Sequence, residues 1–522
     1  MTGKMSEITA YQAREFGTFA HLFGLHAAHF PSACALICDG KEITYRDLDE
    51  LANRVAASLQ RDGVQPRDVV GVCALSSIEY VAVFIGTLRV GAAISPLSPA
   101  STPEQLAAML KDSGATHFFV DAGVSVAIDT VRAGLTARLI DFDPNAANIS
   151  FADWLISDTP DPVPVAVAPD WAFNIIYSSG TTGSPKGIVQ SHEMRWNHVG
   201  RLGGYGVGSK TIISTGLYSN TTLVVFLPAL ATGGTVILMP KFEPRAFLDL
   251  SERYQVNYAM LVPVQYRRIL DVPDFDDFNL RSYIMKFCTS APFSAELKAE
   301  VLKRWPGGLI EWYGMTEGGG SCQLIAHEHP DKLHTVGLPL PGHDIRVIDA
   351  NGAVAKPGDV GEVVGRSGAM MNGYHNQPEK TAEAEWWSPS GERFIRTGDL
   401  ASVDEDGFFT LIGRKKDLII SGGFNVYPID LETALMEHEA VREAAVIGVP
   451  SRDWGETPVA FVTLQPGYDV PGDDLRNFAN NRLGKMQRLS EVRVIDELPR
   501  SAIGKILKRE LQDRMALESE KA

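Results

Sequence analysis

The chain has 522 residues, 45% hydrophobic and 21% charged, which is ordinary for a soluble globular protein but too long for one compact core. A formal net charge of −16 argues against nucleic acid as a partner, because backbone phosphates want a basic face. Cys34, Cys38, Cys73, Cys288 and Cys322 show no Cys-x-x-Cys spacing, so they read as buried thiols of a reducing compartment, and no His/Cys metal cluster is visible.

Met1 to Phe16 carries scattered charges and no apolar core, which excludes a signal peptide. Thr44 caps a predicted helix whose apolar face is Leu48, Leu51, Ala52, Val55 and Leu59. Val69–Leu75 reads as a strand, Ile78–Val90 as the helix after it and Ala92–Leu97 as the next strand. The alternation continues through Phe118–Val120, Leu139–Phe142 and Phe173–Tyr177, which predicts layered α/β structure with mainly parallel strands. No charge occurs from Thr211 to Pro240, but Pro228 and Gly233-Gly234 interrupt the run; a buried helix, a glycine turn and a buried strand (Thr235–Met239) fit better than a membrane span. Tyr258–Val262 and Tyr283–Thr289 are further strands. From about Thr335 short strands separated by Asn351-Gly352, Pro357-Gly358, Gly361 and Asp406-Gly407 predict an antiparallel, barrel-like section. After Gly413-Arg414-Lys415-Lys416-Asp417 a small α/β module restarts. It has a helix from Pro428, strands Ala444–Val449 and Pro458–Leu464, a helix from Asp473, strand Val492–Ile495 and a final basic helix.

Between two apolar runs lies Tyr177-Ser178-Ser179-Gly180-Thr181-Thr182-Gly183-Ser184-Pro185-Lys186-Gly187. Gly180 and Gly183 permit positive φ, so backbone N–H groups can converge on one point; the hydroxyls and Lys186 add donors and charge suited to a polyphosphate. A flexible linker would not be entered and left by strands. A Walker-type loop places Gly-Lys-Ser/Thr at the start of a helix, and Pro185 before Lys186 breaks that pattern. Four more motifs follow. Tyr313-Gly314-Met315-Thr316-Glu317 offers an aromatic and a carboxylate; alone it is an ordinary surface turn. Thr397-Gly398-Asp399, at the end of a strand-like run, offers an acceptor for two hydroxyls, or merely a turn cap. Ser421-Gly422-Gly423-Phe424-Asn425 is by itself a glycine turn, and Pro499-Arg500-Ser501-Ala502-Ile503-Gly504-Lys505 a surface lysine.

In this order the motifs resemble those of the adenylate-forming superfamily, which comprises acyl- and aryl-CoA ligases, luciferases and peptide-synthetase adenylation domains. The resemblance runs from the helix at residue 44 to Lys505. It implies a large domain of layered α/β sheets with an antiparallel barrel-like section over residues 1–413, a hinge at 414–417 centred on Lys416, and a mobile α/β domain over 418–522. It implies ATP, Mg²⁺ and coenzyme A. Ser178, Ser179, Gly180, Thr181, Thr182, Gly183 and Lys186 would then hold phosphates. Tyr313 would stack on adenine, with Trp312, Gly314, Met315 and Thr316 beside the nucleotide, and Glu317 would bind the metal. Asp399 and Arg414 would hold the ribose. Lys505 would act on the α-phosphate, with Thr182, Lys186 and Glu317 as its catalytic companions. Ser421, Gly422, Gly423 and Phe424 would meet coenzyme A. Arg500-Ser501 stands where Lys-Thr is usual and keeps the charge and the hydroxyl.

The resemblance places the acid around Tyr218, Asn220, Thr221, Thr289, Gly318 and Gly319, next to nucleotide contacts at Ser290, Ala291 and Pro292. Tyr218 stands where many ligases have histidine. Gly318-Gly319-Gly320 would leave open space for a ring or chain. With Lys286 the sole Lys or Arg near these segments, a dicarboxylate ranks low, since it would want a buried cation. No aspartate near 218–220 awaits an α-amine. A bulky monocarboxylate follows, aromatic, alicyclic or medium-chain. Three alternatives stay open: loading of a separate carrier protein, fatty acyl-CoA synthesis, and an inactive ligase-like binder. A cytoplasmic enzyme is expected, with monomer and homodimer both open.

Overall fold

The computed structural model describes residues 2–146, 148–158, 161–178, 186–199, 205–422, 424–452, 454–484, 487–501 and 504–519. The chain forms two compact units, one of residues 1–334, 339–344 and 365–395, the other of residues 335–338, 345–364 and 396–522.

The first unit carries two large sheets. One runs in spatial order Ser321–Ile325, Gly308–Gly314, Met285–Cys288, Tyr258–Leu261, Lys210–Ile213, Thr235–Leu238, Cys34–Cys38 and Lys41–Thr44. Its central pairs are parallel, and antiparallel partners close both of these ends. The other runs Gly373–Tyr374, Lys186–Ser191, Ala172–Ser178, Ala93–Pro96, Val69–Cys73, His117–Val120, Arg138–Asp141 and Ile149–Ser150. Strands buried on both faces read as continuous apolar runs, and Val69–Cys73 and His117–Val120 are buried throughout. The predicted α/β alternation is therefore the observed one.

Helices fill the core. Thr44 accepts the N–H of Asp47 and so caps Tyr45–Arg61, which buries Leu48, Ala52, Val55 and Leu59. Ile78–Arg89 packs on that helix so closely that a Cβ on Gly86 would lie 2.6 Å from Val55. Phe84 meets Phe173 of one sheet at 5.9 Å and Phe226 of a helix beside the other at 6.4 Å, both edge-to-face. The uncharged span resolves into the helix Asn220–Ala231, a turn at Gly233 (φ 84°) and the buried strand Thr235–Leu238. Among the described residues no helix is long and apolar enough to cross a membrane. The five cysteines are free thiols, four of them buried.

His26, against Phe30 and Tyr45, and His192, against Phe173, are buried, and burial draws each pKa down to about 4. Between their ordinary value of 6.5 and about 4, the unfolded chain takes up protons that the folded chain refuses. Stability therefore falls as pH drops through that window, by up to about 1.4 kcal/mol per pH unit for each ring. Urea midpoints measured across it should decline steadily; a flat profile would show that these rings charge freely in the native state.

Asp344–Ile348, Gly361–Arg366, Arg393–Val403 and Phe409–Arg414, most of whose residues belong to the second unit, supply the antiparallel half-barrel. Gly361 begins a strand rather than separating two, and the lack of a side chain lets it approach the neighbouring backbone: a Cβ there would lie 2.3 Å from the carbonyl oxygen of Ile348. The C-terminal sheet follows, with Ile419–Ser421, Phe424–Val426, Val441–Ser451, Gly455–Leu464 and Glu491–Val494, and helices Pro428–Met436 and Gly472–Asn480. The last helix, Lys508–Ser519, is not basic: Lys508, Arg509 and Arg514 are matched by Glu510, Asp513 and Glu518.

Candidate active site

Ala172–Ser178 and Lys186–Ser191 form an antiparallel hairpin with Ser178 opposite Lys186. Ser179, Gly180, Thr181, Thr182 and Gly183 lie outside the described residues. What the structure describes is the neck. Tyr374 pairs with Ile188 along the hairpin's outer edge, and the Lys186 ammonium lies 5.0 Å from the centre of its ring. The Tyr374 hydroxyl donates to Glu317 Oε1 at 2.9 Å. Burial and that carboxylate both raise the Tyr374 pKa, so the phenol stays protonated and able to donate. Gly187 has no room for a side chain, since a Cβ would meet Ile175 at 2.9 Å. Lys186 and Glu317, singled out separately in the sequence, are thus joined by an aromatic residue that no motif announced.

Trp312, Tyr313 and Gly314 end the strand Gly308–Gly314; Met315, Thr316 and Glu317 form the turn after it. Trp312 stacks on Phe287 with ring centres 4.7 Å apart, and its carbonyl accepts from the Thr289 hydroxyl at 2.7 Å. Ser290 adopts φ 82°, unusual for a residue with a Cβ, and its hydroxyl bonds Thr221 Oγ1 at 2.5 Å. Ala291 and Pro292 continue this turn. The half-buried Tyr218 lies over Gly216, where a Cβ would come within 2.2 Å of its ring.

Two expectations about the acid's surroundings need correction. Gly318 and Gly319 do not leave open space: a Cβ on Gly318 would sit 1.7 Å from the carbonyl oxygen of Ala369, and one on Gly319 would sit 2.9 Å from Ile395. These glycines let two backbones approach. Nor is Lys286 the sole cation beside these segments. It is buried and donates to the carbonyls of Trp305, Pro306 and Gly307 at 3.1, 2.7 and 2.8 Å. A cation does reach Asn220, namely Arg195, from the helix His192–Val199, with Nη2 2.9 Å from Asn220 Oδ1.

In the second unit Asp399 lies opposite Arg414, with Arg414 Nε 2.8 Å from Asp399 Oδ1. Thr397-Gly398-Asp399 does not end its strand, which continues to Val403. Gly398 at φ 70° instead distorts the backbone within it, and the register shifts just beyond, between Leu400 and Ala401. Lys416 is exposed, in the single turn Lys415–Asp417. Ser421 pairs with Phe424 across Gly422 (φ 57°), while Gly423 lies outside the described residues. Phe424 is 54% exposed. Lys505 is exposed on a tight turn: Ser501 N–H donates to the Lys505 carbonyl at 2.8 Å and the Ser501 hydroxyl accepts the Lys505 N–H at 3.2 Å. Arg500 ion-pairs with Glu443 and bonds the Gly504 carbonyl. Ser501 and Arg500 therefore brace the lysine turn.

The described elements make a layered α/β protein with a C-terminal domain that carries Lys505. The sequence profile described as "AMP-binding enzyme" matches residues 23–375, and that described as "AMP-binding enzyme C-terminal domain" matches residues 430–505. A fatty acid–[acyl-carrier-protein] ligase of Streptomyces coeruleorubidus is 32% identical, covering 95% of this chain and 96% of its own. A feruloyl-CoA synthase of an Amycolatopsis species is 33% identical over 93% and 96%. Among solved structures, ATP-bound MatB from Rhodopseudomonas palustris superposes with a TM-score of 0.84 at 29% identity, covering 95% of this chain and 98% of that one. The chain belongs to the AMP-binding enzyme family, within the adenylate-forming superfamily. It is an AMP-forming acid–thiol ligase, of the class that works on a carboxylic acid with ATP and coenzyme A.

Proposed function

We propose that this ligase converts a bulky monocarboxylate, aromatic, alicyclic or medium-chain, to its acyl-AMP and then to its coenzyme A thioester. The observation that carries this reading is the meeting of Lys186 and Glu317 on Tyr374 at the neck of the hydroxyl-rich hairpin. In the first step a carboxylate oxygen of the acid attacks the α-phosphorus of ATP, the bond to the bridging oxygen breaks, and pyrophosphate leaves. Lys186, the hydroxyls of Ser178, Ser179, Thr181 and Thr182 and the backbone of Gly180 and Gly183 hold the phosphates. Tyr313 stacks on adenine between Trp312, Gly314, Met315 and Thr316 on one hand and Ser290, Ala291 and Pro292 on the other. Asp399 accepts from the ribose hydroxyls with Arg414 alongside. Lys505 stabilises the charge that grows on the α-phosphoryl group.

Magnesium suits one or two carboxylates completed by phosphate oxygens, and Glu317 supplies such a carboxylate. Among the described residues no group of three or more His, Cys, Asp and Glu side chains forms a closed metal cage. Bound by Glu317 and the nucleotide, the ion would neutralise charge on the phosphates. In the second step the thiol of coenzyme A, passing Ser421, Gly422, Gly423 and Phe424, attacks the acyl carbon; AMP leaves and the thiol proton goes to solvent. The acid lies among Tyr218, Asn220, Thr221, Thr289, Gly318 and Gly319.

A feruloyl-CoA synthase and an indoleacetate–CoA ligase among the relatives support the aromatic class. The acyl-carrier-protein ligase supports a second reading, transfer to a carrier protein, as do the exposed Ile420, Phe424 and Trp454 around the glycine turn, each 54% exposed. The test is to supply the enzyme with ATP and a panel of acids and add coenzyme A or a phosphopantetheinylated carrier. Thioester formed with coenzyme A supports the first reading; thioester formed on the carrier alone replaces it with the second.

A further inference from the structure

Arg195 is 1% exposed, and its hydrogen-bond partners among the described residues are all neutral. Its Nε donates to Asn174 Oδ1 at 2.9 Å, and its Nη2 donates to Gln190 Oε1 and to Asn220 Oδ1. Among the described residues no carboxylate pairs with it, and Nη1 has no partner at all. A guanidinium has donors and no acceptor, so every amide that faces it must present oxygen. That fixes three amide orientations at once. Asn174 then gives its Nδ2 to Gln190 Oε1 at 2.8 Å, and Gln190 gives its Nε2 to the Thr316 carbonyl at 2.6 Å. Asn220 alone of the three has an NH₂ group with no partner among the described residues. It is half-buried at the first position of the helix Asn220–Ala231.

An amide whose oxygen is held by a buried cation cannot flip to offer that oxygen elsewhere without leaving the cation under-bonded. What remains on offer is a polarised N–H donor. We propose that Asn220, held in this orientation by Arg195, reads an acceptor oxygen on the acid, so that the enzyme selects substrates bearing a carbonyl or ether oxygen beyond the reacting carboxyl over hydrocarbons of the same shape. This rests on the proposed placing of the acid beside Asn220 and deepens it. Arg195 acts here as a positioning residue: it does not touch the substrate, and its charge reaches the acid through the Asn220 amide. The same network ties the start of this helix to the backbone of Thr316, so recognition of the distal oxygen is linked to the turn that carries Glu317.

Methoxy and ethyl groups have nearly the same shape, and only one accepts a hydrogen bond. The test measures acid-dependent pyrophosphate exchange with methoxy- and ethyl-substituted arylcarboxylates, varied over the ring positions. The wild-type enzyme should favour methoxy by about tenfold or more at one position. Asn220→Leu should bring the ratio there close to one. Asn220→Asp, which offers only acceptor oxygens, should abolish it and favour the amino analogue. Arg195→Met should bring the ratio down while exchange persists; if that variant does not fold, the two Asn220 variants decide. Equal kcat/KM for methoxy and ethyl at every position, or a preference that survives Asn220→Leu, would overturn the assignment. Failure of every acid to support exchange would instead refute the proposed function on which it rests.

Discussion

Replacing Lys505 by alanine should slow acyl-AMP formation by about two to three orders of magnitude, the usual consequence of removing one well-placed donor from a developing oxyanion. The same variant should convert synthetic acyl-AMP and coenzyme A to thioester at close to the wild-type rate. The asymmetry arises because negative charge builds on the α-phosphoryl group in the first step, whereas in the second that group departs already formed, as AMP. A lysine exposed on a braced turn suits this task. Ser501 bonds the Lys505 backbone and Arg500 bonds the Gly504 carbonyl, so the backbone beside the lysine is held while its long side chain stays exposed. Loss of both half-reactions together would point to a damaged fold, which the Arg500–Glu443 pair and thermal melting would report; loss of neither would remove Lys505 from the chemistry.

Lys416→Pro should leave adenylation within a few-fold of wild type and slow thioester formation by about tenfold or more, as expected when a residue that absorbs backbone rotation is locked. Lys416 is exposed in a single turn between the strands Phe409–Arg414 and Ile419–Ser421, so its side chain makes little contribution to packing and the substitution acts through the backbone. The pivot is a proposal, and the split between half-reactions is its signature. Lys416→Ala, which keeps the rotation free, should behave like wild type. Equal slowing of both steps by the proline variant would place the pivot elsewhere or remove the need for one.

Much of the scaffold could be read from local pattern. Thr44 and the apolar face behind it, the buried run Val69–Cys73, and the helix, turn and strand between Thr211 and Pro240 are all decided by nearby residues. The places where reading failed depend on distant ones. Tyr374 stands in an unremarkable Asn-Gly-Tyr-His stretch and gains its meaning when antiparallel pairing sets it on the hairpin edge beside Lys186. Arg195 lies in a polar helix that looks solvated, yet it is buried by its contacts with Asn174, Gln190 and Asn220, residues of two strands and another helix. The Asn174–Gln190 alternation within the hairpin strands was the available signal, since two amides at paired positions in apolar strands need a buried partner. Gly318 and Gly319 show the opposite error: glycine invites a reading of empty space, and here it marks two backbones in contact. Thr397-Gly398-Asp399 looked like a strand end because glycine is a poor strand residue, but Gly398 takes a left-handed φ inside a strand that runs on.

An AMP-forming ligase activates a carboxylate by moving AMP onto it. Isotope exchange between pyrophosphate and ATP, measured with purified enzyme, magnesium and a broad panel of acids in the absence of coenzyme A, tests it most directly. Exchange that depends on a bulky monocarboxylate, with AMP appearing once coenzyme A is added, is the predicted result. ATP cleaved to ADP, or no exchange with any acid while ATP still binds, would contradict it.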